Sequence, residues 1–286
     1  MNTQFWLVQA FNGISYGALL FLVGSGLSLI FGVMRIVNLA HGSYFLLGGY
    51  VALSVISATG SWALALPVAA LTIAILGLLM ERLFLRPLGF DPLRQVLLTV
   101  GFAFLFQQAA LDIWTGNNFD INPPAALTQS IVVGGIYFPL YRVFMIGMAL
   151  AIGVILWLVM EKTRMGAAVR ATVDDAQMAR GVGIDTSRIS MFIFALGACL
   201  AALGGVIGGA FLGIYPGLDF EILPLAFAVV IIGGMGSLGG AAIGALAVGL
   251  ADNFGKALFP EVSYFTLYAP MVLILAVKPT GLFGRE

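Results

Sequence analysis

The chain is 286 residues long; 61% of them are hydrophobic, only 9% are charged, and the mean hydropathy is +1.07. Soluble globular domains carry about 25% charged residues, so this chain lacks the charge to clothe itself for water and reads as a protein dissolved in lipid. Its thirteen basic and thirteen acidic residues cancel, which leaves no footprint for nucleic acid or a strongly anionic partner.

The first apolar run, near 9–32, has no Lys or Arg ahead of it, Arg35 being the first; it lacks the basic opening of a secretory signal and is expected to be retained. Further runs near 42–59, 61–80, 96–114, 142–160, 190–213 and 264–277 approach the roughly 20 apolar residues that a spanning helix needs. They are rich in Leu, Ala, Ile and Gly and lack the dyad alternation of barrel strands, so helices are expected. Cys199, the only cysteine, sits in one of these runs as a small core filler. Between the last two runs, 223–234 and 241–254 flank Met235-Gly236-Ser237-Leu238-Gly239-Gly240. Each piece reads as too short to cross about 30 Å of hydrocarbon. The expected fold is an all-α integral membrane protein of about eight transmembrane helices, including a Gly-rich broken or re-entrant pair near 223–254, in one domain spanning 1–286.

Basic residues collect on the cytoplasmic side of membrane proteins. Arg82, Arg86 and Arg94 mark one such loop, Lys162, Arg164, Arg170, Arg180 and Arg188 a longer one over 161–189, and Lys278 and Arg285 the tail. The stretches 115–141 and 214–222 contain no basic residue and are assigned outside, as is the N-terminus.

Polar and glycine-dense interruptions supply the functional candidates. Met34 to Gly42 places Arg35, Asn38 and His41 between the first two spans. Ionisable residues within a membrane usually face a bundle interior or an aqueous cavity; the plainer alternative is that Arg35 snorkels to the interface and His41 caps the second span. A lone histidine without a Cys, Asp or Glu cluster makes no metal site, and no cofactor is implied. Gln107 and Gln108 fall mid-span, where an unsatisfied amide is costly, so at least one is expected to face another helix or a pathway. Asp112 and Asp252 fall near outer ends and read as solvated at the interface. Pairs such as Gly13 and Gly17, Gly204 and Gly208, and Gly205 and Gly209 fit close helix packing. Gly236 and Gly240 belong to a denser series, where irregular backbone can line a solute path or form a purely structural hairpin. In the long basic loop, Thr172 is a possible N-cap and Gly181 a stop for a short helix, and Asp185, Thr186 and Ser187 offer caps for the next span.

At these same segments the chain resembles the LivH-type permeases of branched-chain amino acid ABC importers. Four stretches in matching order carry the resemblance: Gly24 to Gly42, ending in Asn38-Leu39-Ala40-His41-Gly42; Arg170 to Ile184; Gly233 to Gly240; and the tail Lys278-Pro279-Thr280-Gly281-Leu282-Phe283-Gly284. The resemblance implies an inner-membrane subunit that pairs with a second, LivM-like permease, two cytoplasmic ATP-binding subunits and a periplasmic solute-binding protein. It further implies that a short cytoplasmic helix sits in a groove of the ATPase. Asp174 to Gly183 is the matching segment, presenting Asp174, Asp175, Gln177 and Met178 and stopping at Gly181 or Gly183. On this reading Asn38, His41, Gln107, Gly236 and Gly240 are the solute-pathway candidates.

The chain contains no G-x-x-x-x-G-K-[ST] run, so ATP binding through a P-loop belongs to another chain. The competing reading is an ion-coupled secondary transporter, which is expected to hold coupling carboxylates at mid-membrane; no acidic residue reads as mid-span. A channel is a third possibility, and an intramembrane enzyme lacks any Ser-His, paired-Asp or HExxH arrangement in the spans. The solute stays open among branched-chain amino acids, other amino acids, urea and short amides. The topology predicts that single cysteines in 81–95 and 161–189 are labelled only from the cytoplasmic side and those in 115–141 from outside. Labelling of 161–189 in intact cells by an impermeant reagent would overturn it.

Overall fold

The structure, a computed structural model, describes residues 3–89, 91–278 and 280–284; the tail residues Pro279 and Arg285 lie outside the described residues. The described residues form α1 (Thr3–Met34), α2 (His41–Thr59), α3 (Trp62–Met80), α4 (Pro92–Trp114), α5 (Leu140–Lys162), α6 (Arg164–Asp174), α7 (Ala176–Gly181), α8 (Thr186–Leu212), α9 (Leu218–Gly233), α10 (Leu238–Leu258) and α11 (Ser263–Val277). A short hairpin, β1 (Ser130–Val133) and β2 (Ile136–Pro139), lies in the loop between α4 and α5. Among the described residues seven helices are long and apolar enough to cross a membrane. With the shorter α9 and α11 beside them, the chain is an all-α membrane protein of about the expected number of crossings.

The glycine-rich break differs from expectation in one respect. Residues 241–254 are no half-helix: α10 has 21 residues, about 31 Å at 1.5 Å per residue. Only α9, with 16 residues, is short. Glycine is disfavoured in an isolated helix, but those of α10 are sites of backbone contact. Gly240 packs on the Gly233 carbonyl, Gly244 on that of Val229, and Gly249 on Gly13 and Gly17. The side chain of Ser237 caps α10, its Oγ accepting from the Gly240 N–H at 3.0 Å. The break itself is real: Gly234 and Gly236 hold φ of +101° and +81°, where a Cβ is strained.

Lipid offers no hydrophobic drive for helices to associate, so close packing must hold the bundle. α1 and α8 form its centre, 67% of their most apolar windows being buried, against 22% for the peripheral α4 and α5. α1 crosses α10 at Gly13 and Gly17 and α8 at Gly26, whose absent Cβ would meet the Gly197 carbonyl at 2.6 Å. α2 crosses α8 at Gly48 against Ala202 and at Gly205, where a Cβ would drive into the Phe45 carbonyl.

Two irregular segments dip into this bundle. α1 ends at Arg35, exposed and at φ +54°, whose N–H bonds the Phe31 carbonyl. Residues 36–40 then turn back inward and deliver the start of α2. From the opposite end of the bundle, Ile214 pairs with Phe119 and 213–217 lead to α9 through Gly217 at φ +98°. At the opposite end of α9 the tail returns: the N–H groups of Leu282 and Phe283 donate to the carbonyls of Ile232 and Gly233, both at 3.0 Å.

Gly205→Leu is expected to destabilise the bundle by about 1–3 kcal/mol or more through overpacking. Gly147→Leu, where a Cβ meets nothing within 4 Å, should leave the thermal midpoint of the purified protein unchanged. Equal midpoints for the two variants would refute the packing account.

Candidate functional site

The start of α2 lies deep in the bundle. His41 is 0% exposed and its Nε2 sits 3.0 Å from the Val23 carbonyl. Val23 is roughly three turns, about 16 Å, from the end of α1. The ring also borders Gly26, which faces Gly197, itself about three turns inside α8. His41 therefore stands near mid-membrane. It does not cap α2: the N-cap is Ala40, which makes no side-chain cap bond. Its Nδ1 has no hydrogen-bond partner.

Asn38, also 0% exposed, braces the loop. Its Oδ1 accepts from the Ala40 N–H at 3.1 Å, and the Leu39 N–H donates to Thr99 Oγ1 of α4 at 3.2 Å. Its Nδ2 closes no hydrogen bond of normal geometry, although it lies beside the Tyr44 hydroxyl. Asn38 and His41 thus meet in one buried polar patch. Gln107 does not join them; it is half-buried on α4, and the exposed Gln108 donates to Asp112 at 3.0 Å. Gly236 and Gly240 are also elsewhere, at the turn between α9 and α10, where Gly236 faces Gly32 near the end of α1.

The patch holds residues that the sequence reading missed. Asp219, assigned outside with 214–222, is 2% exposed, and its Oδ2 accepts from Ser43 Oγ at 3.0 Å. The absent Cβ of Gly42 would overlap the Asp219 carbonyl, so α9 begins where α2 begins. A carboxylate does lie at membrane depth, contrary to expectation, because 213–217 carries the chain inward without crossing. The signal available was Gly213 and Gly217 framing the approach to an apolar helix too short to span. Tyr50, seven residues after Ser43 and so on the same face of α2, is fully buried with an unbonded hydroxyl. Asp252 also departs from expectation: it is buried and pairs with Lys256 Nζ at 2.8 Å on α10. Among the described residues no group of three or more His, Cys, Asp and Glu side chains converges to hold a metal ion.

Near the end of α1 a cavity of about 300 Å³ opens. Its lining brings together Ile36, Glu81, Arg86 and Gln95 with Thr172 and Arg180 of the loop 161–189. Glu81 is buried and begins a π-helical turn, Glu81–Leu85, that continues α3; such turns locally re-aim side chains. Gln95 Nε2 donates to the Gly89 carbonyl, tying α4 to that lining.

The loop 161–189 folds into α6 and α7 rather than one short helix. Thr172 is no cap; it lies within α6, donating to the Ala168 carbonyl at 2.8 Å. The cap is Asp175, whose Oδ1 accepts from the N–H groups of Gln177 and Met178 at 2.8 and 2.9 Å. α7 ends at Gly181, and Gly183 completes the turn at φ +88°. Asp185 then caps α8, accepting from the Arg188 N–H at 3.1 Å, as expected. Asp174, Asp175 and Gln177 are exposed, as are Met178 and Val182, at 67% and 73%. Met178 and Val182, four residues apart, form an apolar pair on one helical face; Val182 escaped the sequence reading because it follows the glycine taken as the stop.

Comparison with known proteins places this architecture. The family model described as branched-chain amino acid transport system, permease component, matches residues 9–275. The chain is 32% identical to the high-affinity branched-chain amino acid transport system permease protein LivH of Escherichia coli (strain K12), over 100% of this chain and 98% of the relative. It is 27% identical to BraD, the corresponding protein of Pseudomonas aeruginosa, over 98% and 96%. A partial match at 30% identity, over 63% of this chain and 53% of the relative, is to the autoinducer 2 import system permease protein LsrC of Escherichia coli O9:H4. No solved structure matches. With a buried polar patch inside an apolar helix bundle and a family match over nearly its whole length, the chain belongs to the permease components of branched-chain amino acid transport systems, as a LivH-type permease.

Proposed function

We propose that this permease carries branched-chain or closely related amino acids across the inner membrane. It works with a second, LivM-like permease, two cytoplasmic ATP-binding subunits and a periplasmic solute-binding protein. The solute passes the patch of Asn38 and His41 and leaves through the cytoplasmic cavity. Gly236 and Gly240 serve the path indirectly, by holding the turn between α9 and α10, and Gln107 borders it from α4.

The observation that carries this reading is the double role of the cytoplasmic loop. Thr172, Ala176 and Arg180 line the cavity, while Met178 and Val182 project into solvent from the same short segment. Apolar side chains of this size, isolated on a polar loop, suit a groove in another protein. A partner that grips Asp174, Asp175, Gln177, Met178 and the turn at Gly183 moves the cytoplasmic wall of the cavity, and closure of the ATPases becomes opening or sealing of the exit. Chemistry alone needs no nucleotide, metal or cofactor on this chain for that task.

Asp175 caps α7, so changing it confounds docking with folding. The cleaner test is Met178→Asp with Val182→Asp in the purified complex. Loss of two buried apolar anchors and burial of charge at an interface is worth several kcal/mol. ATP-driven leucine uptake into liposomes should therefore fall at least about tenfold, with ATPases lost on purification or no longer stimulated. Wild-type uptake and stimulation in the double variant would return the loop to a solvated linker.

A further inference from the structure

We infer that Asp219, with the Tyr50 hydroxyl above it, is the mid-membrane receptor for the ammonium group of the transported solute, which makes the permease selective for amino acids over amides and urea. The inference rests on the transport reading above and narrows its substrate class.

Asp219 occupies an unusual electrostatic position. It is 2% exposed, one oxygen accepts from Ser43 Oγ, and the other, Oδ1, has no hydrogen-bond partner. The ion pairs among the described residues are Arg94–Asp91, Arg170–Glu161, Arg188–Asp185 and Lys256–Asp252; none involves Asp219. Buried carboxylates are ordinarily paired with a cation. Among the described residues no ion pair supplies the counter-charge, and local compensation comes from the Ser43 hydroxyl and the N–H groups of Asp219 and Phe220 at the start of α9.

The surroundings match a primary ammonium. An ammonium brings three donors and no acceptor, and the patch holds acceptors in excess. Asp219 Oδ1 is free, and so is the hydroxyl of Tyr50, which lies within electrostatic reach of the carboxylate. Tyr50 is held by stacking on Trp114 at 5.0 Å and edge-on against Phe119, so its hydroxyl is a fixed acceptor. In the loop that leads into α2, Asn38 offers the opposite chemistry, an amide nitrogen without a normal hydrogen bond, suited to a carboxylate. Urea and short amides carry no charge for Asp219 to meet. They leave its carboxylate as poorly compensated as before, whereas an ammonium completes it. Ser43 and Asp219 also tie α2 to α9, so arrival of a cation acts on the contact between the two helices that begin at this depth.

The test uses the complete complex, with second permease, ATPases and binding protein, in liposomes. Asp219→Asn keeps shape and the bond to Ser43 but removes the charge. Leucine uptake should fall at least about tenfold, the cost of one charge-assisted hydrogen bond, while ATP hydrolysis stimulated by the binding protein persists and the complex elutes intact. Asp219→Glu, compared with Asp219→Gln at equal length, reads charge alone if the asparagine variant fails to assemble; the glutamate form should retain uptake that the glutamine form lacks. Wild-type leucine uptake in Asp219→Asn, or equal uptake by the Glu and Gln forms, overturns the inference and leaves the transport reading standing. Wild-type complex that moves urea or acetamide but not leucine overturns both. Leucine uptake that stops when sodium is replaced by N-methylglucamine would assign the carboxylate to an inorganic cation and overturn the ammonium role.

Discussion

Backbone without helical partners cannot face lipid; its N–H and C=O groups must be satisfied inside the protein or by a water-filled cavity. In this permease two such segments, 36–40 from one end of the bundle and 213–217 from the other, end at the same depth, and the remaining architecture follows from hiding them. Asn38 Oδ1 and Thr99 Oγ1 take the loop N–H groups of Ala40 and Leu39, and Ile214 pairs with Phe119. α2 and α9 start from opposite directions with their N-terminal turns in contact at Gly42 and Asp219. Because helix N-termini carry partial positive charge, a carboxylate is tolerated there, and polar chemistry at membrane depth becomes affordable.

Tight packing of the central helices is the condition for that arrangement. His41 reaches the Val23 carbonyl only because α1 and α8 approach through Gly26 and Gly197. Larger residues at those crossings would widen the bundle, admit lipid or water to the loop, and detach the ring from its acceptor. The glycines on α1, α2, α8 and α10 therefore set the polar patch in place, Gly26 and Gly42 by bordering it directly.

Much of this was legible in the sequence. Span positions follow from composition, a signal tied directly to solvent. Asn38 and His41 stood out because polar side chains in an apolar context are costly wherever they point. What was not legible depends on depth and partner. The absence of basic residues in 214–222 reports which side a loop is tethered to, not how far it dips, so Asp219 read as exterior. The glycines of α10 read as a broken helix because propensity counts only the isolated chain, and their cost is offset by contacts with Val229, Gly233, Gly13 and Gly17. Thr172 and Asp175 are both good caps in isolation; the boundary between α6 and α7 decides between them.

The tail makes α9 depend on sequence remote from it. The carbonyls of Ile232 and Gly233, at the end of α9 away from Asp219, are satisfied by the N–H groups of Leu282 and Phe283. Without those donors the last turn of α9 has only water to bond. The helix that carries Asp219 is consequently anchored at its far end by a segment that lies beyond α10 and α11 in the chain, so a change in either of those helices that misplaces residues 282–283 reaches Asp219 through the backbone of α9.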